Sequence, residues 1–400
     1  MRGRAWLLGT CMALAVSAAS AQSIAGFPDS RFVEQRERFT PEGGAPIELR
    51  FLIAREAGPQ ATRVVTTTHA ALSLLSDWFG APPSPLIVAG LPWHGGTASV
   101  QPGIVTTRLR WLAPVRDQTS ERELIAALAR QYWLRQPAPI PFDEALIVFT
   151  ANRAIHHLLE VTNFDAPRFF GGHVPFPLRS LLLSPQRADP RPRIVLAESG
   201  SSDPGVQRTV RALQSIQRFV GWPTMLDAMV RMRESGGRDA AALGVALSQV
   251  RGTNLQALVA ECWREDATFD YAIENLSSAP AAGGLVETTV TIARRGSGRF
   301  AADISSDDRE KAMPIELRFS DGTVFRDFFD GAAPSSTMVY SAKTAAVRAT
   351  VDPDAMLLLD VDRRNNTIVR DAPALPLATQ LALNWMTWLQ NAMLSYTALI

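Results

Sequence analysis

The chain has 400 residues, of which 46% are hydrophobic and 20% charged, so it can bury a large core and build two or three domains. Its formal net charge is +1, so no general attraction to nucleic acid or to acidic surfaces is implied. No nucleic-acid partner is therefore expected.

Residues 1–21 have the pattern of a secretory signal peptide. Arg2 and Arg4 precede a short apolar run, and small residues lead to a cleavage site expected after Ala21. The apolar run is too short to span a bilayer. Since Cys11 lies inside it, cleavage would leave no second cysteine to form an internal disulfide. The sequence thus predicts an exported protein, periplasmic or extracellular.

The next part of the chain alternates strand and helix patterns. Residues 46–54 and the stretch "SPLIVAGLPW" favour strands, and residues 68–80 favour a helix between them. After a turn and another strand, "ELIAALARQYWLRQ" predicts a helix over about 120–135, with Ser120 and Glu123 spaced as a capping box. A second helix, "DEALIVFTANRAIHHLLEV", follows it.

Helices continue to residue 276, and the pattern then changes to period two. "SSAPAAGG" (277–284) is interpreted as a linker, and residues 285–371 as a small β-sandwich with a hairpin at "SDG" (320–322). The fold class predicted from these patterns is α+β.

Residues 372–400 contain no charge, and polar residues recur in them every three or four positions, as expected for one stripe of a helix. Such a helix either crosses a membrane with the stripe facing a partner or docks on the protein's own domains. A membrane contact through this segment stays open at this point.

The order of elements from residue 46 to 365 resembles the membrane alanyl aminopeptidase family, gluzincin metallopeptidases with a thermolysin-like catalytic domain. "IAALARQYWL" stands where that family has its zinc helix, "FDEALIVFTA" resembles the helix after it, and "DPDAMLLLDVDRRNN" resembles the end of the β-sandwich in bacterial members. The patterns above and the resemblance together predict these divisions: signal peptide 1–21, thermolysin-like α/β subdomain 22–165, helical subdomain 166–276, linker 277–284, Ig-like β-sandwich 285–371 and apolar helix 372–400.

The resemblance also locates the positions that would carry the family's chemistry. Zinc peptidases of this class use two histidines one helical turn apart, a glutamate beside the first as general base, and a carboxylate from the next helix. Here Ala126 and Arg130 occupy the histidine positions, Ala127 the general base, and Glu144 the third ligand. Alanine has no lone pair to offer and arginine is a permanent cation, so we expect no catalytic residue, no metal and no cofactor at these positions.

Arg130 and Glu144 suggest a substitute for the metal. The guanidinium stands where a zinc ion would have neutralised Glu144, so an ion pair between the two side chains is one hypothesis. The alternative is that Arg130 extends to solvent and Glu144 only stabilises the start of its helix.

A replacement metal site would have to use other residues. "HHLLE" offers His156, His157 and Glu160, in which a histidine and a carboxylate stand one turn apart and can share an ion. Zinc is expected only under this alternative, because such a pair is more often part of a solvated or packed helix face.

Three interpretations follow from these patterns and from the resemblance. The first is an inactive, peptidase-like exported protein that binds an as yet unknown peptide or protein through the former cleft or serves as a scaffold. The second is an active hydrolase with a metal site rebuilt around His156 and His157. The third is an α+β protein unrelated to the peptidases.

Overall fold

The computed structural model describes residues 31–42, 44–82, 86–92, 100–109, 119–133, 141–158, 203–301 and 312–370. The predicted signal peptide and the predicted terminal helix (372–400) lie outside the described residues. The chain divides into two compact units: the first comprises Met1–Ser76 and Gly80–Gln131, and the second Asp77–Phe79 and Tyr132–Ile400.

The first unit contains a five-stranded mixed sheet in the order β1-β2-β3-β5-β4. Strands β2, β3 and β5 are parallel, whereas the edge strands β1 and β4 run antiparallel to their neighbours. Helix α1 connects β2 to β3, which is the crossover that parallel strands require. The elements are β1 (Phe32–Phe39), β2 (Ile47–Ala54), α1 (Ala61–Phe79), β3 (Leu86–Pro92), β4 (Val100–Gln101), β5 (Ile104–Leu109) and α2 (Thr119–Trp133).

Burial in the first unit follows the sequence pattern. Strands β2 and β3 place Leu49, Phe51 and Val88 in the core with no exposed surface. Helix α1 contacts the sheet through His69, whose ring lies 5.9 Å from that of Phe39 and 6.5 Å from that of Phe51, and its apolar residues Leu72 and Leu75 are buried. This arrangement accounts for the alternating and helical apolar spacings of residues 46–80.

Among the described residues, the second unit has five helices after the last turn of α1. Their hydrophobic positions are buried at helical spacing, as in α4, where Val210, Leu213 and Ile216 have no exposed surface. The helices are α3 (Pro141–Leu158), α4 (Pro204–Val220), α5 (Trp222–Glu234), α6 (Ala240–Arg251) and α7 (Gln256–Trp263).

Two antiparallel sheets follow and form a sandwich, with β6 and β7 of one sheet in contact with β11 and β12 of the other. The three-stranded sheet has the order β10-β7-β6 and the four-stranded sheet β12-β11-β8-β9. The strands are β6 (Tyr271–Pro280), β7 (Val286–Arg294), β8 (Met313–Phe319), β9 (Val324–Phe329), β10 (Ser335–Ala342), β11 (Ala346–Val351) and β12 (Thr367–Val369).

The linker prediction for 277–284 is wrong in its first half. Residues 277–280 are the end of β6, where Ser277 pairs with Thr289 and Ser278 with Thr288. Serine, alanine and proline are typical of loops, but pairing with β7 overrides that local preference. The sandwich therefore begins at Tyr271, earlier than the pattern indicated.

The α+β class is confirmed. Within the described residues, none of the helices combines the length and the apolar character that a membrane crossing requires.

Candidate functional site

Helix α2, which occupies the place of the zinc helix in the resemblance, is fixed to strand β5 of the first unit. The Gln131 amide accepts a hydrogen bond from the Gly103 N–H at 3.0 Å and donates one to the Ile104 carbonyl at 3.2 Å. At the other end of α2, the Ser120 hydroxyl donates to the Arg108 carbonyl at 3.0 Å. These contacts hold the helix along strand β5 at both of its ends.

The predicted capping box at the start of α2 does not account for Glu123. Its carboxylate instead accepts a hydrogen bond from the Arg108 guanidinium at 2.8 Å. Arg108 is 15 residues earlier on β5. The Glu123 carboxylate therefore pairs with Arg108 on β5, whereas a capping box would have directed it to the backbone at the start of α2.

The positions corresponding to the zinc ligands lie on the less buried side of α2. Leu124, Ile125 and Leu128 face the core with at most 1% of their surface exposed, whereas Ala126 and Arg130 are only partly buried. Ala127 is buried, with 7% of its surface exposed. Ala126 and Arg130 share one face because they are one turn apart.

Helix α3 carries Glu144 in its first turn, partly buried, next to a fully enclosed carboxylate, Asp143. The Asp143 side chain is 2% exposed and forms an ion pair with Arg238, whose Nε lies 3.1 Å from Oδ2 of Asp143. Sequence reasoning missed this pair, since 95 residues separate its members. The only local signal was the Asp-Glu doublet at the helix start.

Glu144 belongs to the second unit and Arg130 to the first. The ion pair between them stays a prediction.

The end of α2 and the middle of α3 are joined by a buried hydrogen bond. The indole N–H of Trp133 donates to the Thr150 hydroxyl at 2.9 Å, and both side chains are almost completely enclosed. An indole and a hydroxyl satisfy each other here without any charge.

The histidines of the alternative metal site both lie exposed in the last described turn of α3. The His157 ring is 6.3 Å from that of Trp78, in an edge-to-face contact. Glu160 lies outside the described residues. In the part of the chain that the structure describes, no three His, Cys, Asp or Glu side chains are grouped in a way that would bind a metal ion.

Zinc does not fit the chemistry of the α2 positions. The partly buried face there presents a methyl group at Ala126 and a guanidinium at Arg130, neither of which donates an electron pair to a metal. No catalytic step can therefore be derived through a zinc ion at these residues.

The segment that most resembles the end of the peptidase sandwich, residues 352–366, is organised by buried carboxylates. Asp352 accepts the N–H groups of Met356 at 2.6 Å and Leu357 at 3.0 Å. Burial raises the pKa of Asp360 to about 6, although the Asn366 amide, at 3.2 Å, and two backbone N–H groups favour its ionised form. These side chains stabilise a turn and a strand junction, and they explain the density of Asp and Asn without a ligand.

A scan against models of known protein families gives no match, and a sequence search of curated proteins gives none either. Among solved structures, the fold is similar to the crystal structure of Legionella pneumophila aminopeptidase A in complex with aspartic acid. The TM-score is 0.50 and the sequence identity 11%, over 80% of this chain and 37% of the aminopeptidase chain. The chain thus has an aminopeptidase-like fold and spans well under half the length of that enzyme.

Proposed function

We propose that this chain is an exported, catalytically inactive aminopeptidase-like protein that binds a peptide or protein partner. The observation that supports it is the composition of α2. In an aminopeptidase-like fold, the helix held along the sheet presents Ala126 and Arg130 where the resemblance implies two histidines. The fold is then retained for recognition, while the groups that would activate water are absent.

Arg130 has a specific part in this proposal. Its permanent positive charge replaces the cation that the resemblance implies beside Glu144, and the pair preserves the charge balance of the ancestral site. A double-mutant cycle with Arg130→Met and Glu144→Gln tests it, since the pair predicts a coupling energy of about 0.5–1 kcal/mol in the free energy of unfolding. A coupling of zero would mean that Arg130 does not pair with Glu144.

The main experiment restores the missing groups. The variant Ala126→His/Ala127→Glu/Arg130→His recreates two imidazoles one turn apart with a general base beside the first. We expect the purified natural chain to contain no stoichiometric zinc and to leave aminoacyl-arylamides uncleaved, and the restored variant to bind zinc. A matched variant with Glu144→Gln added should bind zinc more weakly, because the resemblance makes Glu144 the third ligand.

The second candidate is an active hydrolase with a metal site around His156 and His157, favoured by the exposure of both imidazoles on one helix end. Stoichiometric zinc in the natural chain that disappears in His156→Ala would establish this candidate and refute the inactive one. Turnover without metal would refute both.

A further inference from the structure

The last two turns of α3 carry four polar side chains outside the region compared with the zinc site. Asn152 and His156 form one column and Arg153 and His157 a second, since residues four apart share a helix face. Both histidines are exposed, and Asn152 and Arg153 are partly buried.

Arg153 lies on an aromatic platform. Its guanidinium carbon is 4.8 Å from the ring centroid of Trp222, the first residue of α5. Trp222 in turn contacts Trp78 edge to face at 4.9 Å, and Trp78 contacts His157 at 6.3 Å. All four residues belong to the second unit. The platform is fixed from below, because the Phe149 ring lies 6.3 Å from that of Trp222.

The charge of Arg153 is desolvated but has no counter-ion among the described residues. Burial lowers its pKa, and none of the ion pairs that the structure describes includes it. Beside it, Nδ2 of Asn152 is buried and has no hydrogen-bond partner in the described part of the chain. Buried donors are normally satisfied, so the buried Asn152 amide beside a partly buried guanidinium favours the binding of a negatively charged acceptor at this end of the helix.

The stacking geometry indicates what that acceptor is. A guanidinium that lies over a ring keeps its N–H groups in its own plane, and these match the two oxygens of a carboxylate. The flanking indoles offer apolar surface, which suits the side chain or backbone that carries a carboxylate better than a compact, strongly hydrated phosphate. An exposed imidazole beside the fork adds a further donor.

We propose that Arg153, His157 and the Trp78–Trp222 pair form a binding site for a carboxylate of a partner peptide. The site goes beyond the function proposed above and does not depend on α2 being inactive. It gives the protein a means of selecting acidic peptides at the end of α3.

Calorimetric titration of the full chain with two blocked peptides tests the site. One peptide carries glutamates beside a phenylalanine, and its twin carries glutamines. We expect the acidic peptide to bind at least about tenfold more tightly, the size of one charge-assisted hydrogen-bonded contact. Arg153→Met should abolish that preference, Arg153→Lys should retain only part of it, and the exposed Arg231→Met on α5 should leave it unchanged.

Three results would overturn the proposal. Equal affinity for the two peptides would exclude carboxylate recognition, and an unchanged preference in Arg153→Met would move it elsewhere. Tighter binding of inorganic phosphate than of the acidic peptide would identify a simple anion site. A variant that neutralises the four carboxylates of residues 159–202 provides a further test: binding gained only in this variant would mean that the chain's own carboxylate fills the site. Its substitutions are Glu160→Gln, Asp165→Asn, Asp189→Asn and Glu198→Gln.

Discussion

The two ends of α3 differ in how a charged side chain is compensated. At the start, the enclosed Asp143 carboxylate has the guanidinium of Arg238 as its counter-ion. Toward the end, the partly buried guanidinium of Arg153 contacts the Trp222 ring and no described carboxylate. A charge that serves only the fold is neutralised inside it, whereas a charge kept for a ligand stays available, with aromatic contacts reducing the cost of its desolvation.

The largest effect is expected at the start of α3. Arg238→Met removes the Arg238 cation from the Asp143 carboxylate, which is 2% exposed, and should lower the free energy of unfolding by about 3 kcal/mol. Urea denaturation monitored by circular dichroism measures it. Asp143→Asn should cost less, because Arg238 is 23% exposed and can reach water. If both variants cost the same, the asymmetry in burial does not control this pair.

Asp360, a buried carboxyl that has no counter-ion among the described residues, extends the comparison to the sandwich. Its pKa in the folded state, about 6, is above the ordinary value of 3.8, so the folded state holds this proton more tightly. The protonated Asp360 carboxyl therefore contributes its full stabilisation below pH 3.8, and this stabilisation is lost as the pH rises through 6. The loss amounts to about 2–3 kcal/mol.

The variant Asp360→Asn should remove that pH dependence. Denaturation of the variant and of the natural chain at pH 4 and pH 7 checks it. The quantity to compare is the difference in free energy of unfolding between the two proteins, because other carboxyls have lowered pKa values and make stability rise with pH. An unchanged difference at the two pH values would show that Asp360 does not titrate in this range.

The neutral contact in the middle of α3 should have a smaller effect. Thr150→Val keeps the shape of the side chain but leaves the buried indole N–H of Trp133 without its acceptor, at a cost of about 1–2 kcal/mol. Adding Trp133→Phe removes the unsatisfied donor, so a double-mutant cycle isolates the hydrogen bond. If the effects of the two substitutions on the free energy of unfolding are additive, the destabilisation comes from packing and not from the hydrogen bond.

The smallest effect is expected at the end of α3. Arg153→Met should change the free energy of unfolding by less than about 1 kcal/mol, because the lost cation–π contact is offset by removal of a desolvated charge. Thermal denaturation beside Arg231→Met measures it. A loss as large as that of Arg238→Met would make Arg153 a structural residue and end the contrast.

The sequence predicts the parts of the fold that depend on residues close together in the chain better than those that depend on residues far apart. The spacing of apolar residues predicted β2, β3, α2 and α3, because it indicates which face of a strand or helix is buried. It did not predict β1, because the charged residues of this strand hide the alternating pattern and pairing with β2 stabilises the strand. The pairing of Asp143 with Arg238 joins residues far apart in the chain, and no local pattern encodes it. The zinc-helix positions were located by resemblance, not by periodicity.

Cys262 gives the molecule a practical property. Its thiol is buried in α7, where desolvation raises its pKa and leaves it protonated and unreactive. It is the only cysteine among the described residues. A cysteine introduced on an exposed position such as His156 would therefore react faster than Cys262 with a fluorescent maleimide under native conditions. Slow modification of Cys262 itself would then time how often the helical region opens.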